Sequence, residues 1–338
     1  MNDIDMTSSW LQQHDSATVV IFRALQLGDM LCAVPALRAL RTALPRARIS
    51  LVGLPWAEQF ASRFRRYIDE FIVFPGHAAF PEQPVRLDQL HDFYAGMRAR
   101  RFDLALQMHG NGQHSNAIVR AFGARAMAGF GAGPGGKDEY LIAFPDTGAE
   151  PLRLLALATG LGAPACGAQL EFPITGADQR ELEASGITCG LAPGSYLCIH
   201  PGARSADKCW PPARFAAVAD QLAIDRRLTT VLTGSPAEAP LTAAVGRLMR
   251  RAPVDAAGPL SIGAMAALMS RARLLICNDT GVSHIAAGLG LRSVVIFSKA
   301  DIRRWAPLDQ QLHRCLWDPF GEQAQTVIDQ ARALLRLR

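Results

Sequence analysis

Short apolar runs alternate with segments of helical periodicity in the first half of the chain. The runs at 17–22, 49–52, 71–74 and 102–107 predict buried strands. Helical patterns follow them at 30–44, 56–65, 87–101 and 113–122, and Pro35 marks either the first turn of its helix or a kink. Strands that alternate with helices predict a parallel, doubly wound sheet, with function at the carboxyl ends of its strands.

A second series of the same kind follows residues 165–195, a Gly- and Pro-rich stretch that predicts a linker. Its predicted strands are 196–200, 229–233, 274–277 and 293–297, and its predicted helices are 211–223, 241–250, 262–269, 282–289 and 321–338. We therefore predict an α/β protein with two Rossmann-like domains, 1–175 and 176–320, that face each other across a cleft. The C-terminal helix, 321–338, is expected as a separate piece that could pack back on the first domain.

Composition predicts a globular protein of the cytoplasm. The 338 residues are 49% hydrophobic and 19% charged, and the first ten lack the basic start and apolar core of a signal peptide. No apolar run reaches the roughly 18 residues of a membrane span. The seven cysteines are odd in number and never form a C-x-x-C pair, which favours reduced thiols over a disulfide framework or a zinc site.

The net charge of +5 is unevenly distributed. Residues 1–175 carry equal numbers of basic and acidic side chains, so residues 176–338 carry the whole excess. A basic surplus in the second half suits an anionic ligand, and it equally suits plain solubility. The chain has no dense Lys and Arg run with interleaved aromatic residues, so we expect no nucleic-acid partner.

Several motifs of known chemistry are incomplete in this chain. Residues 131–138 nearly spell a nucleotide P-loop, but Asp138 stands where the Mg²⁺-binding Ser or Thr is needed, so we predict a flexible loop there. The one D-x-D motif, Asp3 to Asp5, lies in the N-terminal tail, so we expect no metal site. A dehydrogenase is disfavoured because no G-x-G-x-x-G follows the first strand.

The turn after the apolar run 274–277 is the strongest single feature. Asn278 and Asp279 end the predicted strand, and Thr280 and Gly281 suit the start of the small-residue helix that follows. Such a turn directs backbone N–H groups and the positive end of the helix dipole at one point, where a phosphate can bind. An ordinary strand–helix turn with an Asp or Thr cap explains the stretch equally well.

Four short blocks occur in order along nearly the whole chain. They are Leu-Gly-Asp-Met from Leu27, Ile-His-Pro-Gly-Ala from Ile199 with Lys-Cys-Trp-Pro from Lys208, Thr-Gly-Ser-Pro-Ala-Glu from Thr233, and Asn-Asp-Thr-Gly-Val-Ser-His from Asn278. Together they resemble the heptosyltransferases of glycosyltransferase family 9, two-domain GT-B proteins that build the lipopolysaccharide inner core. Each block is weak by itself, and their order and spacing make the resemblance specific.

The resemblance implies an inverting, metal-independent transfer of heptose from ADP-heptose to a lipopolysaccharide-core or related acceptor hydroxyl, without a cofactor. Asp29 matches the family's base, which takes a proton from the acceptor hydroxyl. Its alternative role is to cap the helix that begins near Met30. Lys208 would neutralise the diphosphate as it leaves. Its alternative is a solvated surface lysine, although only Lys137 accompanies it in the first 298 residues.

The resemblance also implies a donor site around the Asp279 turn. Thr280 and Gly281 would supply backbone N–H groups to the phosphates, and Asp279 would orient that loop or touch sugar hydroxyls. His284 would reach the phosphates, and a buried structural histidine is the alternative.

Two further blocks contribute to the implied donor site. Glu238 would accept hydrogen bonds from the ribose, in the block that includes Gly234 and Ser235, and its alternative is an exposed acid at a helix start. Arg204 and Ser205 stand where these enzymes often carry hydroxyl residues. We therefore expect Arg204 and Ser205 to contact the phosphates.

The implied partners are the nucleotide-sugar donor and a lipid-linked or glycan acceptor, for a cytoplasmic protein in peripheral contact with the anionic inner face of the membrane. The donor is better defined than the acceptor, because the loop at 75–84 lies in the half that varies most among such enzymes. Two other functions stay open. One is another nucleotide-sugar enzyme on the same scaffold, with a different sugar, a protein acceptor or epimerase chemistry. The other is a protein that binds a sugar nucleotide without turnover.

Overall fold

The computed structural model describes residues 11, 14, 16–133, 135–258 and 260–336, and the chain divides into two compact units, residues 1–168 and 169–338. The Asp3 to Asp5 motif therefore lies outside the described residues. The division falls at 168/169 and not at the expected 175/176. Phe172 supplies the reason, because it is buried and its backbone N–H donates to the carbonyl of Gly288 in the second unit (3.2 Å).

The first unit, called unit 1, is built on six parallel strands in the order β3-β2-β1-β4-β5-β6. The strands are β1 (Thr18–Phe22), β2 (Arg48–Gly53), β3 (Glu70–Val73), β4 (Leu104–Gln107), β5 (Ala126–Phe130) and β6 (Glu139–Ile142). The helices are α1 (Leu27–Cys32), α2 (Val34–Ala43), α3 (Glu58–Arg63), α4 (Leu87–Ala99), α5 (Ser115–Arg120) and α6 (Glu150–Gly160). The central strands β1 and β4 are almost entirely buried, in agreement with their apolar sequences.

The single helix predicted over 30–44 is in fact two helices. α1 ends at Cys32, and α2 begins at Val34 with Pro35 at its second position. The proline ring has no N–H to donate to the carbonyl four residues earlier, so the hydrogen-bond ladder is interrupted there. Pro35 therefore marks a first turn. Because α1 already starts at Leu27, Asp29 lies inside the first turn of a helix and not before one.

The P-loop-like residues 131–138 connect β5 to β6, two strands that the hydrophobic pattern did not predict. Asp138 has a φ of +63°, and the strand β6 starts directly after it. A P-loop must lead into a helix. The rejection of a P-loop is therefore confirmed.

The second unit, called unit 2, repeats the arrangement with six parallel strands in the order β12-β11-β10-β7-β8-β9. The strands are β7 (Tyr196–His200), β8 (Thr229–Gly234), β9 (Val254–Ala257), β10 (Leu274–Asn278), β11 (Ser293–Phe297) and β12 (His313–Trp317). The helices are α7 (Gly176–Ala184), α8 (Pro212–Arg226), α9 (Ala239–Leu248), α10 (Ile262–Ser270), α11 (Gly281–Leu289), α12 (Ile302–Trp305) and α13 (Ala324–Arg336).

The C-terminal helix α13 is an integral part of unit 2, whereas the sequence analysis treated residues 321–338 as a separate piece. Its apolar stripe is buried and packs beside α8 and β11 in the core of this unit. The stripe consists of Val327, Ile328, Ala331, Leu334 and Leu335. Packing within unit 2 therefore satisfies the amphipathic face of the helix.

Each sheet has a point at which the direction of its strand order reverses. In unit 1 the chain moves from β1 to β2 and β3 on one side and from β4 to β5 and β6 on the other, so this switch point lies between β1 and β4. In unit 2 it lies between β7 and β10. Ligands of open α/β sheets bind beyond the carboxyl ends of the strands at such points. Across the described residues, no helix has the length and apolar character needed to cross a membrane.

Candidate functional site

The predicted donor residues follow three neighbouring strands of unit 2. Residues 201–208 follow β7, residues 235–238 follow β8 and residues 279–281 follow β10, and the order β10-β7-β8 makes these strands adjacent. Because the strands are parallel, the three segments lie at one edge of the sheet, around the switch point.

Asn278 ties the segment after β7 to the end of β10. Its side chain is fully buried, its Nδ2 donates to the carbonyl of Pro201 (2.7 Å), and its Oδ1 accepts from the backbone N–H of Trp210 (3.0 Å). Both ends of the loop that carries Lys208 are thus held by one amide. The loop is fixed by buried hydrogen bonds, which are costly to break.

Lys208 and Asp279 meet across the switch point. Lys208 Nζ donates to Asp279 Oδ2 at 2.9 Å, and the two side chains are 33% and 9% exposed, respectively. An ammonium group carries three N–H donors. Among the described residues, Nζ donates to the Asp279 carboxylate. The ion pair therefore orients Lys208 and leaves it donors for a further anion.

Helix α11 begins directly after this ion pair, with Thr280 as its N-cap residue and Gly281 as its first residue. The Thr280 side chain makes no capping hydrogen bond, and the Ser283 hydroxyl donates to the Thr280 carbonyl (2.7 Å). A helix N-terminus carries N–H groups without intrahelical partners and about half a positive charge. Together with Lys208, this N-terminus forms a site suited to phosphate.

Glu238 is held by a reciprocal cap at the end of β8. Its Oε2 accepts from the backbone N–H (2.7 Å) and the hydroxyl (2.8 Å) of Ser235. Its Oε1 lies 3.9 Å from Nε2 of the buried His200, and burial lowers the pKa of His200 while the Glu238 carboxylate opposes that shift. A Cβ at Gly202 would lie 1.9 Å from Oε1. The Glu238 carboxylate can therefore take this position only because residue 202 has no side chain. Gly234 packs tightly beneath it, because a Cβ there would lie 3.3 Å from that of Glu238.

Arg204 and Ser205 lie on the exposed part of the loop after β7. The Ser205 hydroxyl donates to the carboxylate of Asp207, which also pairs with Lys299. The hydrogen bond from Lys299 is the largest cause of the lowered pKa of Asp207. Ser205 thus has a partner within its own loop, whereas a phosphate contact was expected for it.

His284 and Trp210 are both packed inside unit 2. His284 is 4% exposed and lies edge-on to Trp305 (6.3 Å between ring centroids). Burial lowers the pKa of His313, and the nearby His284 contributes a smaller part of that shift. Trp210 is 2% exposed, packs on Phe215 and donates from Nε1 to Asp318 (2.9 Å). The buried histidine, which was the alternative for His284, matches this environment.

Asp29 belongs to unit 1, in the first turn of α1. Gln26 occupies the N-cap position, so the alternative that Asp29 is the cap residue is wrong, although a carboxylate in a first turn still interacts favourably with the helix dipole. The backbone carbonyl of Asp29 accepts two hydrogen bonds from the guanidinium of Arg23 (3.0 and 2.7 Å). The same guanidinium donates to the carbonyl of Met108 and pairs with Glu150 (3.3 Å).

Several buried polar residues that support these loops were not predicted. No role was expected for Arg23, Glu150, His109 or His200, and Asn278 was predicted only as the end of a strand, without its two anchoring hydrogen bonds. Arg23 directly follows a predicted strand, His200 ends one and His109 lies two residues after one, which was the available signal. Glu150 gave no local signal, because its partner Arg23 lies 127 residues away in the chain.

The fold and the site define the class of protein. Both units are doubly wound parallel sheets, and unit 2 has a lysine beside a helix N-terminus at its switch point. This combination is typical of Rossmann-type α/β proteins that bind nucleotide phosphates. Residues 90–332 match the model of glycosyltransferase family 9 (heptosyltransferase), and the chain belongs to this family. The expected fold class, α/β with two Rossmann-like units, is confirmed.

Individual relatives agree with this assignment. Lipopolysaccharide heptosyltransferase 3 of Escherichia coli is 33% identical over 132 residues, which are 38% of this chain and 37% of that protein, so the match spans little more than a third of the relative. The family 9 glycosyltransferase of Veillonella parvula DSM 2008 superposes with a TM-score of 0.79 at 22% identity, over 94% of this chain and 97% of that one. ADP-heptose LPS heptosyltransferase II of E. coli superposes with a TM-score of 0.72 at 18% identity, over 94% and 98% of the two chains.

Proposed function

We propose that the protein transfers a heptose from ADP-heptose to a hydroxyl of a lipopolysaccharide-core or related glycan acceptor. The observation that carries this proposal is the Lys208–Asp279 pair beside the N-terminus of α11, at the switch point of unit 2. Family membership and the names of its relatives, lipopolysaccharide heptosyltransferase 3 and ADP-heptose LPS heptosyltransferase II, support the choice of donor and acceptor.

The proposed reaction is a single displacement at the anomeric carbon of the heptose. The acceptor oxygen bonds to that carbon while the bond to the diphosphate oxygen breaks, and its electron pair leaves on ADP. Asp29 takes the proton of the acceptor hydroxyl as general base. Attack on the face opposite the leaving group inverts the configuration.

The donor is held by unit 2 in this proposal. Lys208 and the first N–H groups of α11, at Thr280 and Gly281, neutralise the charge that develops on the departing diphosphate, so no metal ion is needed. Asp279 keeps Lys208 in place through their ion pair. Glu238, whose carboxylate is fixed by Ser235, accepts hydrogen bonds from the ribose hydroxyls.

We also propose that the enzyme acts in the cytoplasm, at the anionic inner face of the membrane where a lipid-linked acceptor is reached. The support is the excess of basic over acidic residues in the second half of the chain. A positive surplus attracts a protein to anionic lipid headgroups.

Calorimetric titration with ADP, ADP-heptose and a UDP-sugar tests the donor assignment. We expect binding of the adenine nucleotides, weakened about 10- to 100-fold by Lys208→Ala because a hydrogen bond to a charged group contributes about 1.5–3 kcal/mol. Asp29→Asn should leave donor affinity unchanged and lower kcat by about 10²- to 10⁴-fold, the usual contribution of a general base.

Matched variants separate these roles from general effects of charge removal. Lys137→Ala removes an exposed lysine of unit 1, and Asp88→Asn removes another acid from the first turn of a helix, α4. Both should behave like wild type. Preference for a uridine nucleotide contradicts the donor assignment. Nucleotide binding with no product from any acceptor, and no effect of Asp29→Asn, supports the rival function of a protein that only binds a sugar nucleotide.

A further inference from the structure

His109 lies at the switch point of unit 1, two residues after the end of β4 at Gln107 and beside the loop that leads from β1 to Asp29. Its Nδ1 accepts the backbone N–H of Ala24 (3.2 Å), and the residue is 7% exposed. The ring packs against Phe22 (5.2 Å between centroids, 20° between planes) and against Phe80 (4.2 Å, 30°). Because the Phe22 and Phe80 centroids are 6.3 Å apart, the two rings lie on adjacent sides of the imidazole and do not sandwich it. The hydrogen bond and these two ring contacts together fix its position and tilt.

The hydrogen bond to Ala24 determines which ring nitrogen carries the proton. Since Nδ1 is an acceptor, the proton of the neutral ring is on Nε2. Burial, and secondarily the nearby Arg23 guanidinium, lowers the pKa of His109 to about 3, so the ring stays neutral. The described residues provide no hydrogen-bond partner for Nε2. His109 thus presents one oriented, uncharged N–H donor.

The charges around His109 restrict the ligand that this edge of unit 1 can take. The segments that follow β1 to β4 are residues 23–29, 54–57, 74–86 and 108–114. Their charged residues are Arg23, Asp29, Glu82 and Arg86. Arg23 is buried and paired with Glu150, so Arg86 is opposed by two carboxylates. A phosphorylated sugar is normally held by several Arg or Lys side chains, and these segments offer no such cluster.

The same edge carries aromatic surface next to the His109 ring. Phe80 and His77 are partly exposed and their rings contact each other at a tilt (5.4 Å between centroids, 49° between planes), and Phe80 lies directly against His109. Sites for sugars and other small molecules combine such apolar and aromatic walls with a few oriented polar groups.

We propose that His109 is a specificity-determining residue, whose Nε2–H donates to a hydroxyl of an uncharged, unphosphorylated acceptor sugar bound at this edge of unit 1. This inference rests on the proposed function, because it concerns the acceptor of that reaction. The ring nitrogen selects a sugar hydroxyl, the aromatic rings contact the sugar face, and the absence of a cationic cluster disfavours a phosphate at the same position.

Two substitutions at His109 distinguish the roles of its two ring nitrogens. In His109→Asn the side-chain oxygen can still accept the Ala24 N–H, but the Nε2 donor is lost. His109→Gln retains a donor near the position of Nε2. We expect His109→Asn to raise the KM for acceptor about 10-fold without changing ADP affinity, and His109→Gln to restore the KM to within about 3-fold of wild type. His91→Asn, at an exposed position of α4, is the matched control.

The acceptor class is tested with one core oligosaccharide before and after chemical removal of its phosphates. Saturation-transfer NMR with the wild-type chain, without donor, measures binding of each form and needs no turnover. We expect the dephosphorylated form to bind at least about 10-fold more tightly, with little dependence on salt. Tighter binding of the phosphorylated form, or binding that His109→Asn leaves unchanged, overturns the inference. Because donor titration is independent of this assay, an error about the acceptor is distinguishable from an error about ADP-heptose.

Discussion

At the scale of single residues, the position of the Glu238 carboxylate depends on the absence of a side chain at Gly202. A Cβ at Gly202 would lie 1.9 Å from Glu238 Oε1 and 2.3 Å from its Cδ, so Gly202→Ala must displace the carboxylate from Ser235. We expect this variant to weaken ADP binding about 10- to 100-fold, the loss of charged hydrogen bonds to ribose. Unfolding free energy should change by less than about 1 kcal/mol, since the displaced group is a flexible chain end. Calorimetry and urea denaturation measure the two quantities.

A double-mutant cycle provides the control for this prediction. Gly202→Ala and Glu238→Ala act through the same carboxylate, so their combination should weaken ADP binding no more than Glu238→Ala does alone. Additive losses would show that Gly202 contributes separately from Glu238. Wild-type ADP affinity in Gly202→Ala would contradict the ribose role proposed for Glu238.

The sequence predicted which polar residues end the strands, and it could not predict what they touch. Asp279 was expected at an anion site because it ends a predicted strand, and the family resemblance implied Lys208 for the same donor site. In the structure the two form an ion pair. The contact of Arg23 with Glu150 joins residues 127 positions apart, and no local pattern encodes it. Gly202 had no assigned role, because close approach of a distant side chain leaves no trace in the residues beside it.

At the scale of elements, α11 is attached to the first segment of unit 2 by a close backbone contact at Gly288. The carbonyl of Gly288 accepts from the Phe172 N–H (3.2 Å), and a Cβ at Gly288 would lie 2.7 Å from the carbonyl carbon of Glu171 and 2.8 Å from the nitrogen of Phe172. We expect Gly288→Ala to destabilise unit 2 by about 1–3 kcal/mol, as overpacking against rigid backbone does. Urea denaturation followed by fluorescence measures the change.

Gly96 in α4 is the matched control, because it is also a helical glycine and a Cβ there would meet nothing within 4 Å. Gly96→Ala should stabilise the chain by about 0.5–1 kcal/mol through helix propensity. Changes of opposite sign in the free energy of unfolding for the two substitutions support the close contact at Gly288. If Gly288→Ala were stabilising as well, α11 would have room to move away from residues 171–172.

The elements that the sequence analysis found and missed differ in burial. β1, β7, β10 and β11 are runs of buried apolar residues, and the pattern predicted each of them within one or two residues. The missed strands β6, β9 and β12 lie at sheet edges, where side chains are partly exposed and no continuous apolar run is needed. β5 is buried, but three of its five residues are Ala or Gly, so it has no continuous run of large apolar side chains. At Gly129 there is no room for a side chain, because a Cβ there would lie 2.7 Å from that of Gln107.

At the scale of the whole molecule, the two units share one sheet topology. Each sheet has the same relation between strand order and chain order, and in each a polar contact crosses the switch point. In unit 1 the contact joins Ala24 to His109, and in unit 2 it joins Lys208 to Asp279. The repeat was predictable from alternating strands and helices. The two contacts were not, because each joins residues that are distant in the chain, a buried imidazole with a backbone N–H in unit 1 and a lysine with a carboxylate in unit 2.

Each unit also contains a buried neutral histidine, and this makes the stability of the whole chain depend on pH. Burial lowers the pKa of His109 in unit 1 from 6.5 to about 3 and that of His313 in unit 2 from 6.5 to about 4. Burial also lowers the pKa of His200 in unit 2. In the unfolded chain these rings take up a proton below their ordinary pKa, whereas in the folded chain they remain neutral. The unfolded state then binds more protons, so the free energy of unfolding falls as pH falls below 6.5.

We expect a loss of about 1.4 kcal/mol per histidine for each pH unit below 6.5, down to about pH 4 for His313 and about pH 3 for His109. Urea denaturation at pH 7.5, 6.5 and 5.5 samples this window above the range in which carboxylates titrate. Hydrogen exchange mass spectrometry reads peptides of the two units separately. His313→Asn keeps a partner for the Ser293 hydroxyl, which lies 2.8 Å from His313 Nδ1, and should reduce the pH dependence of unit 2 alone. The exposed His91→Asn should leave both slopes unchanged. A stability that is flat between pH 7.5 and 5.5 would mean that these histidines take up protons in the folded chain as readily as in the unfolded chain, and the neutral donor inferred at His109 would lose its support.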